Sequence, residues 1–535
     1  MRANLLSLSE ALIFDLVLGQ RFVSEAADDT QPAASGCMTG TRTRVLSKFV
    51  RWAIGDAKRI YWLTGMAGTG KSSIAVTLCR MLREESGVLF GGGFFCSRSS
   101  GSITRMDVRR VLPTLARLMA ENSPEFATAL VVELGKADRV ACKPVRDQIG
   151  PLLRQPIFAL SQSSRPIVFV IDGLDELNDE NELEELLELI ADFKSQVLVK
   201  FILTSRPAMH IRRTPISNPE HNTILKLHSI DQGEVKQDIH QYINGTLARA
   251  VNGSAWYTDA DVDALVELSS CLFIFASTAL TYILDSDHDY DRSERLHEVT
   301  SAINEDTAAT ARLDTIYELV VTGASRPINI GSRELERLKS IIACILSARS
   351  LLTVEALAAL LKLQPGILRS SLRHLHAVVN LPEADNLPGL HALHASFGDY
   401  LFYRAPEHIR IPRLLGHEML AHGCLDLMDS HLHFNVSKCT SSYNPNSIIK
   451  PDSVALSLEY ACLHWAHHVV FFKAGEDPIF NITAFDVEIN QKFRPKFLFW
   501  LEVLSVLDKV GLASGLLLTA RSSVRWLLAH PLYAS

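Results

Sequence analysis

The sequence lacks the features that mark several broad classes of protein. Its nine cysteines include no Cys-x-x-Cys pair, and Gly and Pro, at 28 and 21 of 535 residues, are spread thinly along the chain. The longest apolar run, Cys271–Leu284, is shorter than the roughly 18 residues that a membrane-spanning helix needs. These absences exclude a disulfide framework, a collagen-like chain and a membrane span. We therefore expect a globular cytoplasmic protein with reduced, scattered thiols.

The sequence also has no strong excess of one sign of charge. Lys and Arg number 53 against 60 for Asp and Glu, which gives a formal net charge of −7. This balance does not favour binding to a nucleic-acid backbone as the main task, so we expect no nucleic-acid partner. No sequence repeat with a period of roughly 20 to 50 residues and no Gly-x-Ser-x-Gly motif occurs, so repeat folds and α/β-hydrolases lack support.

The chain does contain short apolar segments that alternate with helical periodicity. Four segments rich in β-branched and aromatic residues predict buried strands: Arg59–Thr64, Val88–Cys96, Pro166–Ile171 and Val197–Leu203. Helical patterns separate them, which favours an α/β domain whose parallel sheet is covered by helices on both faces. Strand signals fade after about residue 228, so the rest of the chain is predicted to be mostly α-helical. Residues 1–24 predict one amphipathic helix.

A phosphate-binding pattern follows the first predicted strand. Residues 65–72 fit GxxxxGK[ST], and a helical stretch comes next. Glycines let backbone N–H groups converge on phosphate oxygens, and the following helix presents its N-terminal dipole to the same anion. Lys71 is expected to reach the β- and γ-phosphates, and Ser72 to ligate Mg²⁺. The predicted nucleotide-binding residues of this segment are Gly65, Met66, Ala67, Gly68, Thr69, Gly70, Lys71, Ser72 and Ser73.

Polar residues follow the third and fourth predicted strands of the domain. Asp172 ends one strand, and a carboxylate at the carboxyl end of a buried parallel strand lies beside the phosphate loop in such folds, so Asp172 is the candidate Mg²⁺ partner. Glu176 is the candidate that orients or activates water, with Asp175 as the alternative. Arg206 follows the other strand and is predicted to sense the γ-phosphate.

Taken together, these motifs resemble the NACHT family of signal-transduction NTPases, within the STAND class. The segments that carry the resemblance are GMAGTGKS, IDGLDE and FILTSRP, and CMTGTR, GFFCSR and LFIFAST are similar to its fungal, nephrocystin-3-like branch. The resemblance implies ATP or ADP with Mg²⁺ as cofactors. It also implies a helix and linker (1–35), a nucleotide-binding domain (36–228), a helical domain (229–325), a winged helix (326–428) and a helical arm (429–535).

One distant histidine acquires a role only through this resemblance. Leu390–Leu401 is similar to the winged-helix signature of the family, in which a histidine touches the β-phosphate of bound ADP and holds the closed state. Carried over, that residue is His394. The segment Leu351–Val379 resembles the helix-turn-helix part of the same domain; this pattern can read DNA, but the net charge favours a packing role.

The resemblance implies an ATP/ADP switch that is closed with ADP, self-associates with ATP and hydrolyses ATP slowly, in fungal innate immunity or non-self recognition. A sensor or effector protein is an expected partner. Two alternatives remain open. One is a nucleotide-binding scaffold or decoy, because we expect the segments before and after the nucleotide-binding region to be too short for effector and sensor domains. The other is a constitutive P-loop ATPase or kinase. The histidines of residues 464–468 (HWAHH) favour a buried helix over a metal site.

Overall fold

The computed structural model describes most of the chain, in two compact units. The described residues are 22–27, 36–97, 103–136, 140–160, 165–193, 195–220, 222–250, 256–285, 291–303, 307–325, 333–436, 438, 454–473 and 487–520. The first unit ends at Leu313 and the second begins at Asp314. The helix predicted for residues 1–24 falls almost entirely outside the described residues; the domain limits predicted at 228, 325 and 428 stay predictions.

A five-stranded parallel sheet forms the centre of the first unit. Its strands are β1 (Ile60–Thr64), β2 (Leu89–Phe95), β3 (Ile167–Asp172), β4 (Val199–Ser205) and β5 (Thr223–Lys226). Their order in the sheet is β2-β3-β4-β1-β5. The first four match the predicted strands. The sequence pattern missed β5, a four-residue edge strand that is only partly buried and therefore shows no continuous apolar run.

Helices cover both faces of this sheet, as the alternating strand and helix signals predicted. Ile60 and Trp62 of β1 pack into one apolar core, whereas Tyr61 and Leu63 pack into the other, because successive side chains of a strand point to opposite faces. The helices of this unit up to β5 are α1 (Thr43–Gly55), α2 (Lys71–Glu84), α3 (Val111–Asn122), α4 (Pro124–Lys136), α5 (Val145–Ile149), α6 (Gln155–Phe158), α7 (Glu180–Ala191) and α8 (Met209–Arg213).

After β5 the first unit is helical in its described part. The next helices are α9 (Gln232–Arg249), α10 (Asp259–Ser269), α11 (Phe273–Leu284), α12 (Arg292–Ala302) and α13 (Ala309–Ser325), and the unit ends within α13. Thr258 begins α10 with a capping box, in which its hydroxyl accepts from Asp261 N–H while the Asp261 carboxylate accepts from Thr258 N–H. Ser270 and Cys271 both have positive φ, so the chain turns sharply between α10 and α11.

The second unit is mostly helical and contains one short hairpin. Its later helices are α14 (Arg333–Ser347), α15 (Val354–Leu360), α16 (Pro365–Leu372), α17 (Ala395–Asp399), α18 (Leu415–His431), α19 (Leu456–Lys473), α20 (Phe497–Val506) and α21 (Ala513–Thr519). Between α16 and α17, β6 (Val379–Asn380) pairs antiparallel with β7 (His391–Ala392). Two-residue strands carry no detectable alternation, so periodicity alone did not predict them. None of the helices described here is long and apolar enough to cross a membrane.

Candidate nucleotide-binding site

The loop between β1 and α2 has the geometry that its glycines predict. Gly68 and Gly70 have φ of 77° and 89°, in the left-handed region that residues with a Cβ seldom adopt. Gly70 is the N-cap of α2, which begins at Lys71. The Lys71 ammonium folds back over the loop, where it donates to the carbonyl oxygens of Gly65 at 2.8 Å and Met66 at 2.9 Å. The loop thus encloses a cation at the start of a helix, as anion binding requires.

Helix α11 closes one side of this loop. The N–H of Ile274 donates to the Gly68 carbonyl oxygen at 3.1 Å. A Cβ placed on Gly68 would lie 2.0 Å from Cγ2 of Ile274, so only glycine fits there. The sequence identified LFIFAST as part of the family resemblance, but nothing in it indicated that Ile274 contacts the phosphate loop.

Asp172 lies at the end of β3 and is almost fully buried. Its Oδ1 accepts a 2.5 Å hydrogen bond from the Thr204 hydroxyl, and that hydroxyl accepts from the N–H of Gly173 at 3.0 Å. Burial raises the pKa of the Asp172 carboxyl, while hydrogen bonds from Thr204 and Ser72 and the charge of Lys71 oppose the increase. Ser72 and Asp172 are therefore neighbours, as their predicted shared role at Mg²⁺ requires.

The two other predicted residues at these strand ends contact each other. The N–H of Arg206 donates to Oδ1 of Asp175 at 2.7 Å, and its Nε lies 3.2 Å from Oδ2. Asp175 is mostly buried, whereas Arg206 is about one third exposed. The pair joins the end of β3 to the end of β4, its neighbour in the sheet.

The charge around Lys71 shows which predicted residues come together. Burial lowers the pKa of Lys71; Asp175, Asp172 and Glu176 raise it, and Arg206 lowers it further. Three carboxylates and two cations therefore surround one end of the sheet. A hydroxyl and carboxylate oxygens form the hard oxygen donor set that Mg²⁺ prefers, so the residues present fit a Mg²⁺-bound nucleotide.

His394 belongs to the second unit, where it caps α17. Its Nδ1 accepts from the N–H of Ser396 at 3.1 Å and lies 2.6 Å from the Ser396 hydroxyl. That hydroxyl in turn lies 2.7 Å from the hydroxyl of Tyr317. Because Nδ1 is an acceptor, the neutral ring of His394 carries its proton on Nε2. The sequence indicated neither Ser396 nor Tyr317 as a partner of this histidine.

Arg42 is a residue of this region that sequence reasoning left without a role. It ends the CMTGTR segment, and its guanidinium donates to the Thr69 carbonyl oxygen at 3.1 Å. The one available signal was the presence of that segment in the family resemblance, which gives no indication of a contact with the phosphate loop.

Comparison with known proteins agrees with these motifs. Residues 39–206 match the family described as nephrocystin 3, N-terminal. The vegetative incompatibility protein HET-E-1 of Podospora anserina is 22% identical over 511 residues, which cover 89% of this chain and 36% of that protein. The chain thus spans about a third of the length of its curated relative.

Solved structures show more distant likenesses. A STAND protein of Pyrococcus horikoshii with a tetratricopeptide-repeat sensor is 13% identical, with a TM-score of 0.38, over 92% of this chain and 64% of that one. The Orc1 protein of Aeropyrum pernix, solved in complex with DNA, is 12% identical, with a TM-score of 0.33, over 73% of this chain and 94% of that one. Scores this low carry no argument about fold or function. The phosphate loop and the motifs at the ends of β3 and β4 lie within residues 39–206, the segment that is similar to the family described as nephrocystin 3, N-terminal.

Proposed function

We propose that this protein is an ATP/ADP-controlled switch, closed with ADP and self-associating with ATP. The observation that carries the proposal is the convergence of the phosphate loop, Asp172, Asp175 and Arg206 at the carboxyl end of one parallel sheet. This edge of an open α/β sheet is where ligands bind. The same edge contains both the cation that a triphosphate needs and the oxygen donors that its Mg²⁺ needs.

Each residue of the site has a task in this proposal. The loop from Gly65 to Gly70 offers its backbone N–H groups to the phosphates, and Lys71 exchanges its two carbonyl contacts for phosphate oxygens. Met66, Ala67, Thr69 and Ser73 belong to the same binding segment. Ser72 and Asp172 hold Mg²⁺, which neutralises charge on the phosphates when it is bound.

Hydrolysis is assigned to the acidic residues after β3. Glu176 orients water, because the carboxylate of Asp175 is already engaged by the Arg206 backbone and guanidinium. Arg206 is expected to report on the γ-phosphate through the same pair. The proposed hydrolysis is slow, as expected of a site that works without an arginine finger. The protein would then act as a weak NTPase whose hydrolysis resets the switch.

The second unit supplies the other half of the proposed switch. His394, with its proton on Nε2, is suited to donate to a phosphate oxygen, and in the proposal it contacts the β-phosphate of ADP in the closed state. The order of α14, α15, α16 and the β6–β7 hairpin is compatible with the predicted winged helix. The Podospora relative is a vegetative incompatibility protein, which supports a role in non-self recognition, with an effector or sensor protein as partner.

The deciding experiment compares nucleotide binding, turnover and assembly in one preparation. Lys71→Ala removes the charge that faces the β- and γ-phosphates, so ATP affinity should fall by about tenfold or more. Wild-type protein should gain mass in light scattering with ATP and not with ADP. Rapid turnover without assembly would favour a constitutive ATPase or kinase instead, and binding without either response would favour a scaffold or decoy. Unchanged affinity in Lys71→Ala would overturn the site itself.

A further inference from the structure

Arg42 lies beneath the phosphate loop, 27 residues before the residue it contacts there. Its side chain is 4% exposed and lies over the ring of Phe273, with Cζ 4.9 Å from the ring centroid. One guanidinium N–H donates to the Thr69 carbonyl oxygen, and the Asp238 carboxylate lies 3.9 Å from Nε. Arg42 thus touches the phosphate loop, α9 and α11 at once.

The backbone of Arg42 is held in an unusual conformation. Its φ is 58°, in the left-handed region that residues with a Cβ seldom adopt. The Asp238 carboxylate accepts a hydrogen bond from the Arg42 backbone N–H. Nearby, the Gln241 side chain donates to the Thr39 carbonyl oxygen at 3.2 Å. Helix α9 therefore fixes the segment that carries the guanidinium to the loop.

Two successive carbonyl groups of the loop are bound from outside. The Gly68 oxygen accepts from the N–H of Ile274 and the Thr69 oxygen accepts from Arg42. In a trans peptide the C=O and the N–H point in opposite directions, and the described chain contains no cis peptide. Holding these two oxygens therefore directs the N–H groups of Thr69 and Gly70 to the other side of each peptide plane. That arrangement concentrates donors for an anion.

The contacts within the described chain use only part of the hydrogen-bonding capacity of the Arg42 guanidinium. Among the residues that the structure describes, Nε and Nη1 of Arg42 have no hydrogen-bond partner, and neither has Oδ2 of Asp238. Burial lowers the pKa of Arg42 and raises that of Asp238, as expected for two charges removed from water at a distance too long for a hydrogen bond. An arginine that served packing alone would be replaceable by an apolar side chain at little cost. The guanidinium of Arg42 instead directs one of its N–H groups to the Thr69 carbonyl oxygen of the loop.

We propose that Arg42 is a positioning residue for nucleotide binding, which holds the Thr69–Gly70 peptide with its amide turned toward the phosphates. The inference rests on the proposed function, since it concerns the same nucleotide. Through Asp238 and Phe273, Arg42 also makes the loop conformation depend on α9 and α11. Nucleotide affinity is then set partly by helices that lie outside the GxxxxGK[ST] motif.

The test uses the full chain and titrates fluorescent ADP and ATP analogues. Arg42→Met with Asp238→Asn keeps apolar contact with Phe273 and leaves no buried carboxylate unpaired, but removes the donor to Thr69. Both affinities should fall by about tenfold, the equivalent of one hydrogen bond, while the melting temperature without nucleotide stays near that of wild type. Arg42→Lys retains a donor and should restore most of the affinity.

Arg44 provides the matched control. It lies two residues further along the chain, carries the same charge, is 78% exposed and pairs with Glu234 at 3.4 Å. Arg44→Ala should leave both affinities unchanged; an equal loss in Arg44→Ala would mean that general charge attraction is responsible and would overturn the inference. The inference would also be overturned if the folded double variant bound nucleotide as tightly as wild type while Lys71→Ala bound it more weakly. If Lys71→Ala binds normally, the proposed function fails, and this inference with it.

Discussion

Asp175 and Arg206 contact each other twice, once through the backbone of Arg206 and once through its side chain. The Arg206 N–H lies 2.7 Å from Oδ1 of Asp175, and the guanidinium Nε lies 3.2 Å from Oδ2. Both carboxylate oxygens are thereby engaged by Arg206, the residue directly after β4. The pair joins the end of β3 to the end of β4.

This arrangement predicts different outcomes for the two neighbouring acids. Glu176→Gln should retain nucleotide binding and lower ATP turnover by roughly a hundredfold, because it removes the carboxylate that orients water. Asp175→Asn should instead disturb the position of Arg206 and affect ATP binding more than ADP binding. Single-turnover hydrolysis and nucleotide titration on both variants would separate the two effects. A larger loss of turnover in Asp175→Asn would mean that the roles are reversed.

Gly68 should be intolerant of any side chain. Gly68→Ala would place a methyl group 2.0 Å from Ile274 in a residue whose φ is 77°, so the loop, α11 or both must move. We expect a lower melting temperature and weaker nucleotide binding. Gly135→Ala is the control, because nothing lies within 4 Å of its Cβ on α4, where the change should add up to about 1 kcal/mol of stability. Equal melting temperatures for the two variants would contradict the close contact.

His394→Ala tests the proposed closed state. The structure fixes the ring through Ser396, so its loss should remove a phosphate hydrogen bond worth about 1.5 to 3 kcal/mol if the bond is charge-assisted. ADP binding should weaken more than ATP binding, and larger species should form without added ATP. His391→Ala, on β7 close by, should change neither quantity. Equal loss of both affinities without a change in mass would rule out this role of His394.

Tyr317 offers a second way to perturb the same histidine. Tyr317→Phe removes the hydroxyl that lies 2.7 Å from Ser396 and leaves the aromatic packing against Phe397 in place. If the Ser396 hydroxyl orients the ring, this variant should show part of the His394→Ala effect on ADP affinity. Circular dichroism should show an unchanged fold. ADP affinity at the wild-type value would mean that the backbone N–H of Ser396 alone holds the ring.

A buried histidine cluster predicts how the second unit responds to acid. His417 and His468 lie 2.9 Å apart at Nδ1, and Nε2 of His468 lies 2.9 Å from the Tyr460 hydroxyl, which accepts from the N–H of Arg349. Burial, with the nearby Arg349 charge, lowers the pKa of His417 to about 4. Three further histidines lie on α19. Burial with the charges of His467 and Arg349 lowers the pKa of His464 to about 3, and burial with the Arg349 charge lowers the pKa of His467 to about 4. Burial, with neighbouring histidines and Arg349, holds the pKa of His468 well below its usual value.

The direction of the pH effect on stability follows from which state of the chain, folded or unfolded, binds protons first. Near pH 6.5 the unfolded chain begins to protonate these histidines, whereas the folded chain keeps them neutral until about pH 4. The free energy of unfolding should therefore fall as the pH is lowered from about 6.5 to 4. Denaturant titrations at several pH values would measure the slope. His417→Phe should reduce it, because one such group is removed; an unchanged slope would contradict the assignment to this cluster.

Local patterns were sufficient for four of the five strands of the parallel sheet and for the phosphate loop. Four strands were predicted because each is a continuous buried run, and the loop was predicted because its glycines, Lys71 and Ser72 are consecutive. The edge strand β5 and the two-residue strands of the hairpin were not predicted, because a partly buried strand or one of two residues shows no periodic pattern of apolar residues. Helix limits were recovered to within a few residues where a buried run was present, as for α11.

What the sequence determined by itself is therefore the chemistry of the consecutive motifs: a phosphate loop, an acidic strand end and an arginine after the next strand. Only the tertiary structure decided that β4 lies between β1 and β3, that Asp175 binds Arg206, and that Arg42 and Ile274 hold the loop carbonyls from outside. The physical reason is that periodicity and turn chemistry act over a few neighbouring residues. Strand order and hydrogen bonds between distant residues depend on how the whole core packs, which no local pattern records.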